Sequence, residues 1–438
     1  MFDQFLNASA SEIWQLAQKL DQNDALSAFR SSFYIPRRDG QPLVYLCGNS
    51  LGLQPKTARA AVEKEMEVWQ NHGVEGWFES EQPWLSYHAL CQEPLAKIVG
   101  AKPVEICPMN QLTVNLHLLL TSFYRPTTQR FKILTIAGDF PSDQYALETH
   151  LQARGFEPAN SLIEVSPRLG ERTIRTEDIT AAIEANKDSL VLVCMSGLNY
   201  YTGQLYDLKT IAQTAHQVGV LVGFDLAHAI GNAPLQLHDW GVDFSTWCSY
   251  KYLNSGPGGV SGVFIHQKHH AANLPRLAGW WGYDETRRFE MTKGFVPMTG
   301  AAGWQLSTPT IVSLAIHHAS LAIFEAAGMK NLRKKSEELT AFLELIIRRA
   351  NRERQWIEVI TPENKAERGC QLSLLIEKEG KQTFDCLTQN GIIGDWREPN
   401  CIRLAPTPLY NNFEEIWKVG EVFLKAEAAH AAKTTSLS

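Results

Sequence analysis

The chain has no CxxC pair, no apolar run long enough to span a membrane, no excess of positive charge and no internal repeat. Each absence removes a class of protein. Its eight cysteines (47, 91, 107, 194, 248, 370, 386, 401) sit mostly inside apolar runs. Free buried thiols in a reducing compartment are therefore expected, not disulfides or a zinc site, and no metal ligands are assigned. Lys+Arg number 41 against 47 Asp+Glu, for a net charge of −6, which argues against nucleic acid and anionic membrane as partners. A membrane helix needs about 20 apolar residues. The start, MFDQFLNASASEIW, has acids but no basic segment or apolar core, so no secretory signal is read and a cytoplasmic location is expected. What remains is 438 residues, 44% hydrophobic and 20% charged: a globular chain of two or three domains with ample core.

An amphipathic helix is predicted near residues 10–30. VYLCGNSLGLQP (44–55) reads as a short strand, a turn and the entry to a helix ending near Asn71. His72 follows among glycines, where a helix C-terminal cap competes with a substrate contact. NQLTVNLHLLLTSF (110–123) predicts a helix opened by Asn110. Leu112 and Thr113 then lie in its first turn, where free N–H groups favour a phosphate. Strands at 131–138, 189–197, 219–229 and 244–250, with helices near 176–187 and 208–217, predict a largely parallel, doubly wound sheet. A further strand is expected at 259–266, helices over 310–350, and a smaller α+β domain with strands near 356–361, 371–377 and 401–406. Asn412 and Glu415 form a capping-box-like pair, and the stretch from 428 on is expected to fray. The predicted division is an N-terminal segment 1–45, a large α/β domain 46–309 and a small C-terminal domain 310–438.

The chemistry gathers at strand ends, where open α/β sheets bind ligands. FSTWCSYKYLNSGPGG (244–259) breaks from a strand into a glycine-rich loop and puts Lys251 beside Tyr250 at the sheet edge. Near apolar groups such an amine can form a Schiff base with a carbonyl; alone, it reads first as a solvated loop lysine, since most lysines are solvated. Asp225, in GFDLAHA, ends a buried run. It is either a helix N-cap or a partner for a protonated pyridine nitrogen. His228 could meet the same ring, Phe140 in FPSD could stack on it, and Ser196 ends another strand. An amine and a carboxylate on successive strand ends, with a phosphate-ready helix start, point to a pyridoxal 5'-phosphate enzyme.

Longer blocks narrow the choice. GNSLGLQP, FPSD, YYTGQ (200–204), VGFDLAHAIGN, LHDWGVDFSTWCSYKYLNSGPGG and IRLAPTPLYN (402–411) together resemble the kynureninase family of the fold-type-I aminotransferase superfamily, over residues 40–420. The resemblance implies hydrolysis of L-kynurenine or 3-hydroxykynurenine to an anthranilate and L-alanine, in tryptophan catabolism or NAD biosynthesis. It also implies a homodimer with the site at the interface.

Matched residue by residue, the resemblance makes Lys251 the Schiff-base lysine, Asp225 the pyridine-nitrogen partner and His228 a cofactor contact. Leu112, Thr113, Tyr250 and Trp280 would hold the phosphate. Phe140 would stack on the ring, with Pro141, Ser142 and Asp143 completing that loop; Ser196 and Thr308 join the cofactor contacts. Arg403 would take the substrate carboxylate, with His72, Ser50 and Ser307 on the substrate side. Tyr250 would shuttle protons. Some family members have Asn where this chain has Thr308, which keeps a hydroxyl, loses an amide and leaves the ring-hydroxyl preference open. Two rival readings compete: a desulfurase or transaminase, the former needing a cysteine on a mobile glycine-rich loop, and a non-catalytic regulator, which would want a basic DNA-binding segment.

Overall fold

The computed structural model describes residues 1–436, with side-chain surroundings through Ala428. Two compact units emerge. One comprises Thr57–Tyr200 and Leu205–Glu325; the other comprises Met1–Lys56, Tyr201–Gln204 and the chain from Ala326 on.

The larger unit is built on a seven-stranded sheet. Its strands are β1 (Ile106–Pro108), β2 (Lys132–Ile136), β3 (Leu162–Val165), β4 (Leu190–Ser196), β5 (Leu221–Asp225), β6 (Phe244–Trp247) and β7 (Gly262–Ile265), in the order β1-β7-β6-β5-β4-β2-β3. β2 to β6 pair in parallel, and β7 runs antiparallel to both β6 and β1. β4 to β7 are buried almost throughout, the expected pattern for strands covered by helices on both faces. The parallel sheet follows the predicted alternation, whereas the three-residue β1 and the four-residue β3 were not foreseen. The C-terminal ends of β2, β4, β5 and β6 share one sheet edge, and the chain leaves that edge through Asp139, Ser196, Asp225 and Cys248–Lys251.

Boundaries moved where local chemistry is more exact than periodicity. The first helix is Ala10–Gln22, capped by a box between Ser9 and Glu12; residues 27–32 form a separate 3-10 turn. Asn110 does not open the next helix. It takes a left-handed φ of +48° and gives its side-chain N–H to Asn115, and the helix runs Leu112–Phe123 behind Gln111. FPSD is not a loop: Pro141 stands in the first turn of the helix Pro141–Ala153.

The smaller unit has a four-stranded antiparallel sheet of β8 (Glu358–Val359), β9 (Leu372–Leu375), β10 (Asp395–Arg397) and β11 (Cys401–Leu404), ordered β8-β9-β11-β10. Val44–Tyr45 pairs in parallel with Ile392–Ile393. The helix Met329–Ala350 buries Leu332, Leu339, Leu343 and Ile346, the three-to-four spacing of one apolar face. That face joins Ile13 and Ala17 of the first helix and Ile416, Val419 and Phe423 of the last in one core. The N-terminal segment therefore belongs with the C-terminal domain instead of standing alone as 1–45. Conversely, Ile311–Ala327 belongs largely with the sheet, because Ser313 accepts from Val260 N–H and Ser320 donates to the Leu253 carbonyl. Glu415 N–H donates to the Asn412 side chain at 2.9 Å, as the cap predicted, and the last helix, Phe413–Ser436, occupies most of the stretch expected to fray; residues 437–438 lie outside the described residues. No single described helix is long and apolar enough to cross a membrane.

Candidate active site

A cavity of 160 Å³ opens at the edge where β2, β4, β5 and β6 end. Thr113 and Leu112 line one side, Phe140, Ser142 and Asp143 another, and Ser196, Asp225, His228, Tyr250 and Lys251 complete it.

Each group arrives there for a local reason. No side chain caps the helix Leu112–Phe123 at Gln111, so its first N–H groups keep their capacity to bind an anion. Thr113 Oγ1 lies 2.9 Å from Ser142 Oγ, so two hydroxyls join those amides. Asp225 ends β5 in register with Ser196 on β4, and its Oδ1 accepts the Ala227 N–H at 2.6 Å. Lys251 sits in the turn after β6 with Nζ 2.9 Å from His228 Nε2 and 5.8 Å from the Phe140 ring centre.

The electrostatics are dominated by buried acid groups. Burial, then the charge of Asp225, pushes the Asp143 carboxyl well above the usual range. Burial also raises Asp225, opposed by Asp143, the Ala227 N–H and the Lys251 charge. Asp139 is pushed up to about 6 by burial, against hydrogen bonds from Ser196 and Phe140. Three acids facing one lysine form a site short of positive charge, and a cationic ring nitrogen would supply it. The donor set therefore fits pyridoxal phosphate: amides and hydroxyls for the phosphate, a carboxylate for the pyridine nitrogen, an amine for the aldehyde, and Phe140 and His228 for the ring.

Ten residues named from sequence line this cavity: Leu112, Thr113, Phe140, Ser142, Asp143, Ser196, Asp225, His228, Tyr250 and Lys251. Pro141 is in the helix turn behind it. The rest lie elsewhere in the single chain. His72, Ser307 and Thr308 are exposed. Trp280 is 44% exposed and Trp281 is 2% exposed, so the first tryptophan of the pair is the surface one. In the smaller unit Ser50 is exposed, while Arg403, on β11, is 1% exposed and ion-paired with Asp395. Sequence reasoning passed over Asp139, Leu198, Tyr200, Ala227 and Cys248 as lining residues. The one local hint at Asp139 is its place directly before FPSD at a strand exit.

Glu105, His238 and His266, at the opposite edge of the sheet, also bring three possible metal ligands together. The two imidazoles are stacked, with centres 4.8 Å apart and planes inclined by 14°, so their lone pairs lie in separate planes and do not converge on one ion. Glu105 already accepts from Lys102 N–H, Gln267 N–H and His238. This cluster staples the segments preceding β1 and following β7.

Residues 332–423 match the family model described as the kynureninase C-terminal domain. A kynureninase of Flavobacterium psychrophilum is 50% identical over 413 residues, covering 94% of this chain and 97% of the relative. That of Myxococcus xanthus is 49% identical, covering 95% and 96%. Among solved structures, the apo cysteine desulfurase of Thermococcus onnurineus NA1 superposes with a TM-score of 0.74 at 15% identity, over 94% of this chain and 98% of the other. A C-DES mutant with glycine covalently linked to its PLP cofactor gives 0.72 at 17% identity, over 87% and 96%. These likenesses show the fold, the fold-type-I architecture anticipated above.

Proposed function

The chain belongs to the kynureninase family, and from that premise and the cavity's chemistry we propose that it hydrolyses L-kynurenine, 3-hydroxykynurenine or both to the corresponding anthranilate and L-alanine, using pyridoxal 5'-phosphate. The observation that carries the reading is the meeting of Lys251, Asp225 and the uncapped, hydroxyl-flanked helix start in one cavity. When bound, the cofactor supplies an electron sink for charge developing next to the substrate's α-carbon.

Each side chain then has a task. Lys251 would hold the cofactor's aldehyde carbon, and its amine, when free, would take the α-proton. His228, 2.9 Å away, orients its Nζ. Asp225 would pair with the protonated ring nitrogen, and burial with the neighbouring charge of Asp225 pushes the Asp143 carboxyl well up, which resists a second buried negative charge there. Phe140, lining the cavity, would cover one face of the ring. Burial raises the Tyr250 hydroxyl above its ordinary value, so it stays protonated and able to donate as alanine is completed. Water would add at the ketone carbon, and cleavage of the Cβ–Cγ bond would release the anthranilate and leave the bonding pair on Cβ, where the proton from Tyr250 completes alanine.

Arg403 would hold the substrate carboxylate in a bidentate pair. Trp280, Thr308, Ser307, His72 and Ser50 would contribute to cofactor or substrate binding in a homodimer whose site lies at the subunit interface. The exposure of the first four in one chain is consistent with that assembly. A cytoplasmic role in tryptophan catabolism or NAD biosynthesis completes the reading.

A desulfurase would need a reactive thiol. All eight cysteines are buried or half-buried, and Cys248 in the cavity has its thiol pushed up by burial, which makes it a poor nucleophile at neutral pH. The deciding experiment adds L-kynurenine to the purified yellow protein. Anthranilate fluorescence and alanine in equal amounts are expected; pyruvate or sulfide from other amino acids, with no anthranilate, would overturn the proposal.

A further inference from the structure

We propose that Asp139 is a positioning residue of this site: its carboxylate bridges the backbone of Phe140 to the end of β4 and so sets the height of the Phe140 ring above the strand that carries Asp225. This rests on the reading of the cavity as the pyridoxal phosphate site. Asp139 is 2% exposed and follows Gly138, whose left-handed φ of +69° turns the chain out of β2. One carboxylate oxygen accepts the Phe140 N–H at 2.9 Å; the other accepts the Ser196 N–H at 2.8 Å. Ser196 is the register partner of Asp225, and the next residue, Gly197, donates its N–H to the Asp225 carbonyl at 2.7 Å. One side chain thus ties the exits of β2, β4 and β5 together.

The chemistry requires a carboxylate. Two N–H donors converge on two separate oxygens, and a carboxylate is acceptor-only at both. Asparagine has the same shape but would turn an NH₂ toward one donor, forcing Phe140 or Ser196 away. An ordinary helix cap would be a serine or asparagine at the N-cap position, near water. Here the N-cap, Phe140, has no side-chain cap, and the acid lies one residue earlier, buried among Asp143 and Asp225. Placing a third acid there costs stability, which is intelligible if it fixes geometry.

The test compares the cofactor-loaded wild type with Asp139→Asn, using the visible circular dichroism of the bound cofactor and steady-state kinetics on L-kynurenine. The expected result is a reduced or altered dichroic band, with kcat lower by about ten- to a hundredfold, the scale of a misplaced reacting group, and KM within about threefold. Asp139→Ser, which removes the charge and one acceptor, carries the same expectation if the asparagine variant does not fold. The kcat losses of Asp139→Asn and Phe140→Leu should be non-additive, because the first acts through the second. Asp243→Asn, which removes a buried acid at the far sheet edge that accepts the Val222 N–H, controls for lost stability and should leave the band unchanged. An Asp139→Asn enzyme that melts lower but keeps the wild-type band and kcat overturns the proposal. A wild type without a cofactor band or anthranilate production would instead overturn the underlying reading.

Discussion

Gly223 in β5 is the most demanding glycine of the sheet, and Gly223→Ala tests whether core packing under the site holds it in place. Gly223 pairs across the strands with Phe244, whose ring folds over it. A Cβ at 223 would lie 2.0 Å from Phe244 Cζ and 2.1 Å from Cε2, when ordinary contact begins near 3.4 Å. The ring has little room to retreat: Phe244 is 1% exposed and stacks on Phe123 with centres 4.7 Å apart. Overpacking of this kind costs about 1–3 kcal/mol, and an overlap above 1 Å belongs at the upper end. For a unit of this size each kcal/mol lowers the melting temperature by roughly 2–4 °C, so a fall of about 6–12 °C is expected by differential scanning calorimetry. Asp225 lies two residues on and on the same strand face, so cofactor affinity should weaken as well. Gly155→Ala is the control, with a left-handed φ of +81° and nothing within 4 Å of the added atom. Only the backbone penalty of about 1–2 kcal/mol then applies. A Gly223→Ala protein melting within 1 °C of wild type, or no lower than Gly155→Ala, would refute the packing argument.

Further outcomes follow from the site and the buried histidines. Lys251→Ala should lose the cofactor's visible band and all turnover; a yellow, active variant would remove Lys251 from its role. Asp225→Ala should bind cofactor poorly and lose orders of magnitude in rate, since the electron sink depends on a protonated ring nitrogen; normal kinetics would leave Asp225 a turn-forming residue for the Ala227 N–H. Arg403→Ala should raise KM for kynurenine by the equivalent of about 2–5 kcal/mol with the cofactor spectrum intact, and Thr308→Asn should shift the ratio between kynurenine and its 3-hydroxy form; steady-state kinetics on both substrates decides each. His317, fully buried in the helix Ile311–Ala327, is held down to about 3 by burial and then by His318. The unfolded chain therefore takes up this proton near pH 6.5 while the folded chain resists, so stability rises with pH between about 3 and 6.5 and is lost on acidification. Between pH 6.5 and 5 the loss from this residue is about 2 kcal/mol, and His317→Leu should flatten the urea-midpoint profile there; an unchanged slope would count against it.

The contrast between what was legible in the residues and what was not has a physical basis. Lys251 and Asp225 could be read because each ends an apolar, β-prone run, and in a parallel sheet such ends share one edge whatever the strand order. The Asn412–Glu415 cap was legible because both partners lie within one helical turn. Three of the misses depend on partners far along the chain. β1 is three residues long and exists only because β7, more than 150 positions later, pairs with it. The first helix was assigned to a segment of its own because nothing in residues 10–22 announces that its apolar face meets the last helix. Asp139 was overlooked for the same reason: beside FPSD it looks like any turn acid, and its importance rests on a hydrogen bond to Ser196. The exposed Trp280, Thr308, Ser307 and His72 carry this logic one step further. Local sequence gives them no task, and within a single chain they do not line the cavity. In the proposed homodimer a second copy would bring them to the site, so the catalytic proposal and the dimer proposal are one claim about the same four residues.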